Sequence, residues 1–265
     1  MNLLEAIVLG IVQGLTEFLP VSSSGHLLVV EHLFGEFGED LTFEVAVHLA
    51  SAVAAFIFFF NKIISLFRSG NRKILVLILI ASIPAGAAGL VFKKLEIIEG
   101  IREQALWIVA GCFFVTAAVL KLSDLGKEKG FEMRGTGWRR SLLVGLGQAA
   151  GLMPGISRSG ATISAGLLAG MKRQDAVEFS FFLAIPAIVG ANILEVALKL
   201  LKSGETIAAG VGPGSLLAGF AASFVVSIIC IKILVVLVRR KLFSAFAWYC
   251  IAAGIATIVI VSGII

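Results

Sequence analysis

The sequence predicts an all-α polytopic membrane protein: six transmembrane helices plus two re-entrant helical hairpins in an inverted-topology repeat, with residues 1–265 forming a single integral membrane domain. Three observations predict it. The chain is 58% hydrophobic and only 15% charged, with a mean hydropathy of +1.03, more apolar surface than a soluble domain can hide. Six segments reach the roughly 20 apolar residues that cross a bilayer. Two further apolar stretches, 2–34 and 141–170, are each broken near the middle by Gly, Pro and Ser.

In chain order, the first broken stretch (2–34) carries "LPVSSSG" at 19–25, and each half is too short to span. The spans 43–60, 74–92 and 105–121 follow. The second broken stretch, 141–170, carries "MPGISRSG" at 153–160, and the spans 176–198, 214–238 and 243–265 complete the chain. A polar break at membrane depth is tolerated only where protein or a water-filled cavity covers it, so each broken stretch is expected to return to its own side. Lysine and arginine then sort by face. The segments 62–73, 121–140, 172–173 and 239–241 place fifteen on the inner face, against five on the outer, and both termini point outward. The net charge of +5 therefore reads as topology, and no nucleic-acid partner is expected. Cys112, Cys230 and Cys250 all lie in apolar segments and read as small buried hydrophobes. No basic stretch precedes the first apolar segment, so no cleavable leader is expected.

The two broken stretches resemble each other at a shift of 135. Gly10 falls on Gly145, Gln13 on Gln148, Ser22 on Ser157, Ser24 on Ser159 and Gly25 on Gly160. "FEVAVHLA" (43–50) and "VEFSFFLA" (177–184) align at 134, pairing Glu44 with Glu178. The repeats run approximately 1–121 and 137–265. Each holds one hairpin and three spans, and an odd number of spans inverts the second copy, as in many transporters whose sites lie between broken helices.

Arg158 and Lys232 are the two basic residues away from the membrane edges. Lys232 lies near a span end and can snorkel. Arg158 sits in the middle of a hairpin, where a guanidinium costs about 2.5–3.5 kcal/mol even on a lenient scale. It reads either as the partner of a buried acid such as Glu17 or as part of an anion site. The turn before 157 followed by a helix start favours an anion cradle built from Ser157, Ser159, Gly160 and Thr162, with Arg158 as a planar fork for phosphate oxygens. The competing roles of the hydroxyls are capping and back-bonding to carbonyls. The first break supplies Gln13 and Glu17 on one helical face, then Ser22, Ser23, Ser24 and His26. A carboxylate, a histidine and a hydroxyl make a base, an orienter and a nucleophile. Alternatively, Gln13 and Glu17 offer oxygen ligands to a divalent cation, Mg²⁺ or Ca²⁺. Glu44 and Glu178 are candidates to brace the breaks by accepting serine or backbone hydrogens. His48, one turn from Glu44, is expected to bond it, and His32 to be solvated.

Two motifs then carry a family resemblance. Gln13-Gly14-Leu15-Thr16-Glu17, continuing as "FLPVSSSGH" to His26, and Pro154-Gly155-x-Ser157-Arg158-Ser159-x-x-Thr162 resemble those of undecaprenyl-diphosphate phosphatases of the bacitracin-resistance type, and the resemblance covers the whole chain. It implies hydrolysis of a polyprenyl diphosphate to the monophosphate and inorganic phosphate, recycling the lipid carrier for wall polymers. It also implies a divalent cation, a site on the outer side of the cell membrane, and competition with bacitracin for the diphosphate. Glu17, Ser23, His26 and Arg158 become the catalytic residues, with Ser22, Ser157, Ser159, Gly160 and Thr162 around the phosphates. The family motif opens on a glutamate or a glutamine, and this chain has Gln13, which cannot act as a general base but keeps an oxygen for metal or phosphate. A lipid-phosphate flippase or anion transporter on the same inverted-repeat fold is the alternative, and a homodimer is left open.

Overall fold

The computed structural model describes residues 1–34, 41–94, 105–126, 130–203 and 210–263. Eleven α-helices run through them: α1 Leu3–Thr16, α2 Ser23–Phe34, α3 Leu41–Phe58, α4 Phe60–Leu66, α5 Arg72–Lys94, α6 Ala105–Leu122, α7 Trp138–Ala150, α8 Arg158–Leu168, α9 Arg173–Ser203, α10 Pro213–Arg239 and α11 Phe246–Val261. Six helical segments are long and apolar enough to cross a membrane: Leu41–Phe58, Arg72–Phe92, Ala105–Leu125, Arg173–Ala197, Pro213–Arg239 and Phe243–Val261. They coincide with the six expected spans, and the chain is a multi-pass membrane protein. Arg102, Lys127, Lys129 and the last two residues of the final expected span lie outside the described residues.

Both apolar stretches break where Gly, Pro and Ser predict. α1 starts on a capping box, with Asn2 Oδ1 accepting from the Glu5 N–H and the Glu5 carboxylate accepting from the Asn2 N–H. It ends at Glu17, and the chain turns through 18–22. The next helix begins at Ser23. α7 and α8 fold back on each other, since a Cβ on Gly151 would come within 2.6 Å of the Arg158 Cα and one on Gly147 within 2.9 Å of the Ala161 carbonyl.

Close helix contacts explain the glycines. Gly10 and Gly14 let α1 lie on α10, with added Cβ atoms 2.4 Å from Gly219 O and 2.7 Å from Ser223 O. Gly145 sets α7 on α5 in the same way, 2.2 Å from Ala81 O. These are small-residue contacts of the kind that join helices where lipid removes the hydrophobic drive. Between α3 and α10, Ser227 donates to Ser51 Oγ (3.0 Å), Ser51 and Ser223 share a 3.1 Å bond, and Ser223 donates to Val47 O (2.8 Å), all out of contact with lipid. A buried core runs through the first break and the spans, with Phe18 and Phe59 both against Phe181 at ring separations of 4.9 and 4.8 Å.

The basic segments assigned to one face meet at one end of the bundle. Lys62 pairs with Glu178, and Lys172 with Glu132 at 2.7 Å. Arg239 Nη2 donates to Gln174 Oε1 at 3.0 Å, and Gln174 to Glu178 at 2.7 Å. A cavity of about 270 Å³ lies there, lined by Lys62, Asn71, Glu132, Arg134, Asp175 and Glu178 among others. Glu132 is held below the usual carboxylate range by the Lys172 ammonium bonded to it.

Candidate active site

The two breaks touch. Ser22, in the left-handed region at φ 69°, turns its Oγ to accept from Gly155 N–H (3.1 Å) and Gly25 N–H (3.4 Å). Gly155, at φ +91°, leaves no room for a side chain, because a Cβ would stand 2.6 Å from Cys112 Cβ and Val109 O. Its carbonyl accepts from Thr116 Oγ1 (2.9 Å), and the same hydroxyl accepts from Ser157 N–H (3.1 Å). Ser159 Oγ crosses the junction to Leu19 O at 3.1 Å.

Glu17 stands at the centre of what this contact encloses. Arg158 Nη2 donates to its Oε1 at 2.6 Å, and the two side chains are only 17% and 5% exposed. Its Oε2 accepts from Ser23 Oγ at 2.7 Å and from Gln13 Nε2 at 2.9 Å, and His48 Nε2 lies 4.0 Å away. Four elements thus converge on one carboxylate: α1 supplies Gln13, α2 Ser23, α3 His48 and α8 Arg158. Arg158 also reaches Ala184 O on α9 with Nη1, at 3.5 Å. With one tight bond of its fork used, the guanidinium keeps further N–H groups for an anion. The geometry shows Arg158 as the partner of a buried acid, with N–H groups left over.

His26 stands apart from this cluster. Its Nδ1 is 2.7 Å from Ser22 O, which only accepts, so Nδ1 carries the proton and Nε2 accepts from the Tyr249 hydroxyl at 2.8 Å. Its ring stacks on Tyr249 and meets the Phe113 ring edgewise. His26 is not placed to take the Ser23 proton, since both ring nitrogens are engaged elsewhere and the Ser23 hydrogen points at Glu17.

The expected phosphate hydroxyls hold the junction. Ser157 caps α8, accepting from Gly160 N–H at 3.0 Å. Ser159 bridges the breaks, and Thr162 back-bonds to Arg158 O (2.8 Å) and bonds Ser180 Oγ (2.6 Å). Two expected residues are not brought to the site. Glu44 is exposed, and its backbone carbonyl, rather than its carboxylate, bonds His48. Glu178 belongs to the basic end with Lys62 and Gln174. Sequence reasoning underweighted His48 and missed Tyr249. The signal for His48 was the one that singled out Arg158, an ionisable group within an apolar segment.

A cation must find lone pairs. Gln13 is fully buried and its Oε1 has no partner, which suits a ligand that only accepts electron density. Among the described residues no three His, Cys, Asp or Glu side chains gather as a metal cluster. The donor set Gln13, Glu17 and Ser23 therefore fits a hard divalent ion only if phosphate oxygens complete its shell, the usual habit of Mg²⁺.

Fold and site together define a helical multi-pass membrane protein with a buried acid, guanidinium and hydroxyl where two broken helices meet. The chain belongs to the family of the bacitracin resistance protein BacA, whose model matches residues 6–256. It is 38% identical over 266 residues to an undecaprenyl-diphosphatase of Parabacteroides distasonis, covering 97% of this chain and 98% of that one. The undecaprenyl-diphosphatase of Trichlorobacter lovleyi is 38% identical, with 96% of each chain covered. That of Methanobrevibacter smithii is 36% identical, again with 96% of each covered.

Proposed function

We propose that this chain is a phosphoanhydride hydrolase that converts undecaprenyl diphosphate to the monophosphate and inorganic phosphate. The observation that carries the chemistry is the 2.7 Å bond from Ser23 Oγ to Glu17 Oε2, beside an Arg158 that holds the other carboxylate oxygen. Ser23 Oγ attacks the terminal phosphorus and passes its proton to Glu17. The anhydride P–O bond breaks, and undecaprenyl monophosphate leaves. Glu17 passes that proton to the departing phosphate oxygen; ionised again, it takes a proton from the water that attacks the phosphoserine and returns it to Ser23 Oγ as the Oγ–P bond breaks and inorganic phosphate is released. Arg158 donates its remaining N–H groups to the transferred phosphoryl oxygens, whose charge is greatest in the transition state. A divalent cation would be held by Gln13 Oε1, Glu17 and substrate oxygens, and would supply further charge neutralisation. His26, locked by Ser22 and Tyr249, stands outside this proton path.

The reading extends to topology. The two breaks re-enter from opposite leaflets, the halves form an inverted repeat, and the site opens to the outer side of the cell membrane. Supporting this, α1 packs on α10 of the other half as α7 packs on α5, through the repeat-related Gly10 and Gly145. Hydrolysis there recycles the lipid carrier for wall polymers and lowers the diphosphate that bacitracin captures, which gives resistance. The Glu17 cluster is complete within one chain, so a homodimer is not needed for it. A flippase or anion carrier has no use for a serine hydroxyl aimed at a carboxylate. The test is phosphate release from undecaprenyl diphosphate in detergent, with and without EDTA. Release that EDTA removes is expected, together with a phosphoserine trapped in the wild type and absent in Ser23→Ala. Absence of any release would sink the reading, and full activity of Ser23→Ala would remove the nucleophile.

A further inference from the structure

From the placement of His48 we infer that this chain's divalent-cation site includes an imidazole nitrogen, His48 Nε2, beside Glu17 and Gln13. The inference deepens the proposed phosphatase reading and rests on it.

Three observations meet. First, His48 Nδ1 lies 2.9 Å from the Glu44 backbone carbonyl. A carbonyl only accepts, so Nδ1 carries the hydrogen, and in the neutral ring Nε2 presents a lone pair. A histidine anchored through its other nitrogen to a backbone carbonyl is the usual support of a metal ligand. Second, Nε2 stands 4.0 Å from Glu17 Oε2, too far for a hydrogen bond, so with a neutral ring two acceptors border a gap that a cation would fill. Ligand bonds of about 2.0–2.2 Å on each side of one ion span such a gap. Third, Gln13 Oε1 is buried without a partner, on the side chain whose Nε2 bonds the same Glu17 oxygen. Turning the Gln13 amide over brings Oε1 toward that oxygen's neighbourhood, and the assignment of amide O and N rests on the surrounding bonds alone. Arg158 does not compete for the position, since it occupies the opposite carboxylate oxygen.

Gln13 is neutral, so His48 adds a second strong donor beside Glu17. A set of one carboxylate, one amide oxygen and one imidazole favours first-row divalent ions, Mn²⁺ among them, over Ca²⁺, which prefers oxygen alone.

The full chain in detergent, stripped with EDTA and reloaded with Mn²⁺ and methylenediphosphonate, is read by pulsed EPR for ¹⁴N coupling and by titration for affinity. Wild type should show imidazole ¹⁴N coupling, and Ca²⁺ should displace Mn²⁺ only in large excess. His48→Gln should lose the coupling and at least tenfold in Mn²⁺ affinity while keeping a wild-type melting temperature. His26→Gln, which removes the other nearby imidazole, should keep the coupling. Mn²⁺ bound without ¹⁴N coupling, or coupling that persists in His48→Gln, overturns the inference. Phosphate release by the wild type, measured in parallel, shows whether the phosphatase reading itself still stands.

Discussion

Removing one partner of the Glu17–Arg158 pair leaves a charge in a water-poor site with nothing opposite it. Breaking a buried ion pair in this way costs about 3–5 kcal/mol, more than the intact pair contributes over an apolar substitute. Glu17→Gln should therefore lower the melting temperature as well as remove turnover, because the carboxylate both holds the guanidinium and accepts the Ser23 proton. Thermal unfolding in detergent and phosphate release check the two effects separately, and unchanged stability would mean that Arg158 finds another partner. Arg158→Lys separates charge from shape. An ammonium can still meet Glu17, but a point charge cannot hold that carboxylate and fork to a phosphoryl group at once. A loss of at least about 100-fold in kcat/KM, equivalent to roughly 2.7 kcal/mol of transition-state stabilisation, is expected with near-normal folding. Near-wild-type turnover would refute the donor role.

At the scale of the element, the junction of the two breaks rests on backbone conformations that few residues adopt. Gly155 combines a positive φ with van der Waals crowding against Cys112 and Val109. Gly155→Ala should destabilise by about 2–4 kcal/mol, from overpacking and left-handed strain together, and should reduce activity by misaligning Arg158. Ser22 offers the complementary comparison. Ser22→Gly relieves its φ of 69° but removes the acceptor for the buried Gly155 N–H, whereas Ser22→Ala keeps the strain and loses the acceptor. Melting temperatures should fall in the order wild type, Ser22→Gly, Ser22→Ala. The reverse order of the two variants would show that the φ of 69° carries no strain, and wild-type melting of both would show that the bond to Gly155 does not hold the tips together. Both breaks were legible because Gly, Pro and Ser interrupt an otherwise apolar run, a local signal. The division of labour among hydroxyls was not. Ser157, Ser159 and Thr162 sit at a helix start, and whether such a hydroxyl faces a ligand or caps its own helix depends on what the facing break and the packed helices present, here Leu19 O to Ser159 and Ser180 of α9 to Thr162. Glu44 and Glu178 misled for a related reason. Their shared register in the repeat fixes their place along a helix but not what stands opposite.

For the whole molecule, the signals that sequence carries best are length and charge asymmetry, because a bilayer imposes both. The six spans and the sorting of lysine and arginine follow from that constraint alone. The pairing of Ser23 with Glu17 and of His48 with the same oxygen follows from how α1, α2 and α3 cross, which no local pattern encodes. The basic segments around Lys62, Glu132, Lys172 and Arg239 meet through ion pairs and hydrogen bonds at one end of the bundle, as a common face requires. That makes sidedness testable with single cysteines in a chain whose three native cysteines, all buried, have been replaced by alanine. A membrane-impermeant maleimide on intact cells should label Asn2→Cys and Gly263→Cys. Arg68→Cys and Arg134→Cys, both exposed at the basic end, should label only after permeabilisation. If all four positions label from the same side, at least one broken stretch spans the membrane. The tips of the two breaks could then no longer have entered from opposite leaflets, and the outward-opening site would lose its basis, although the Glu17 cluster would remain.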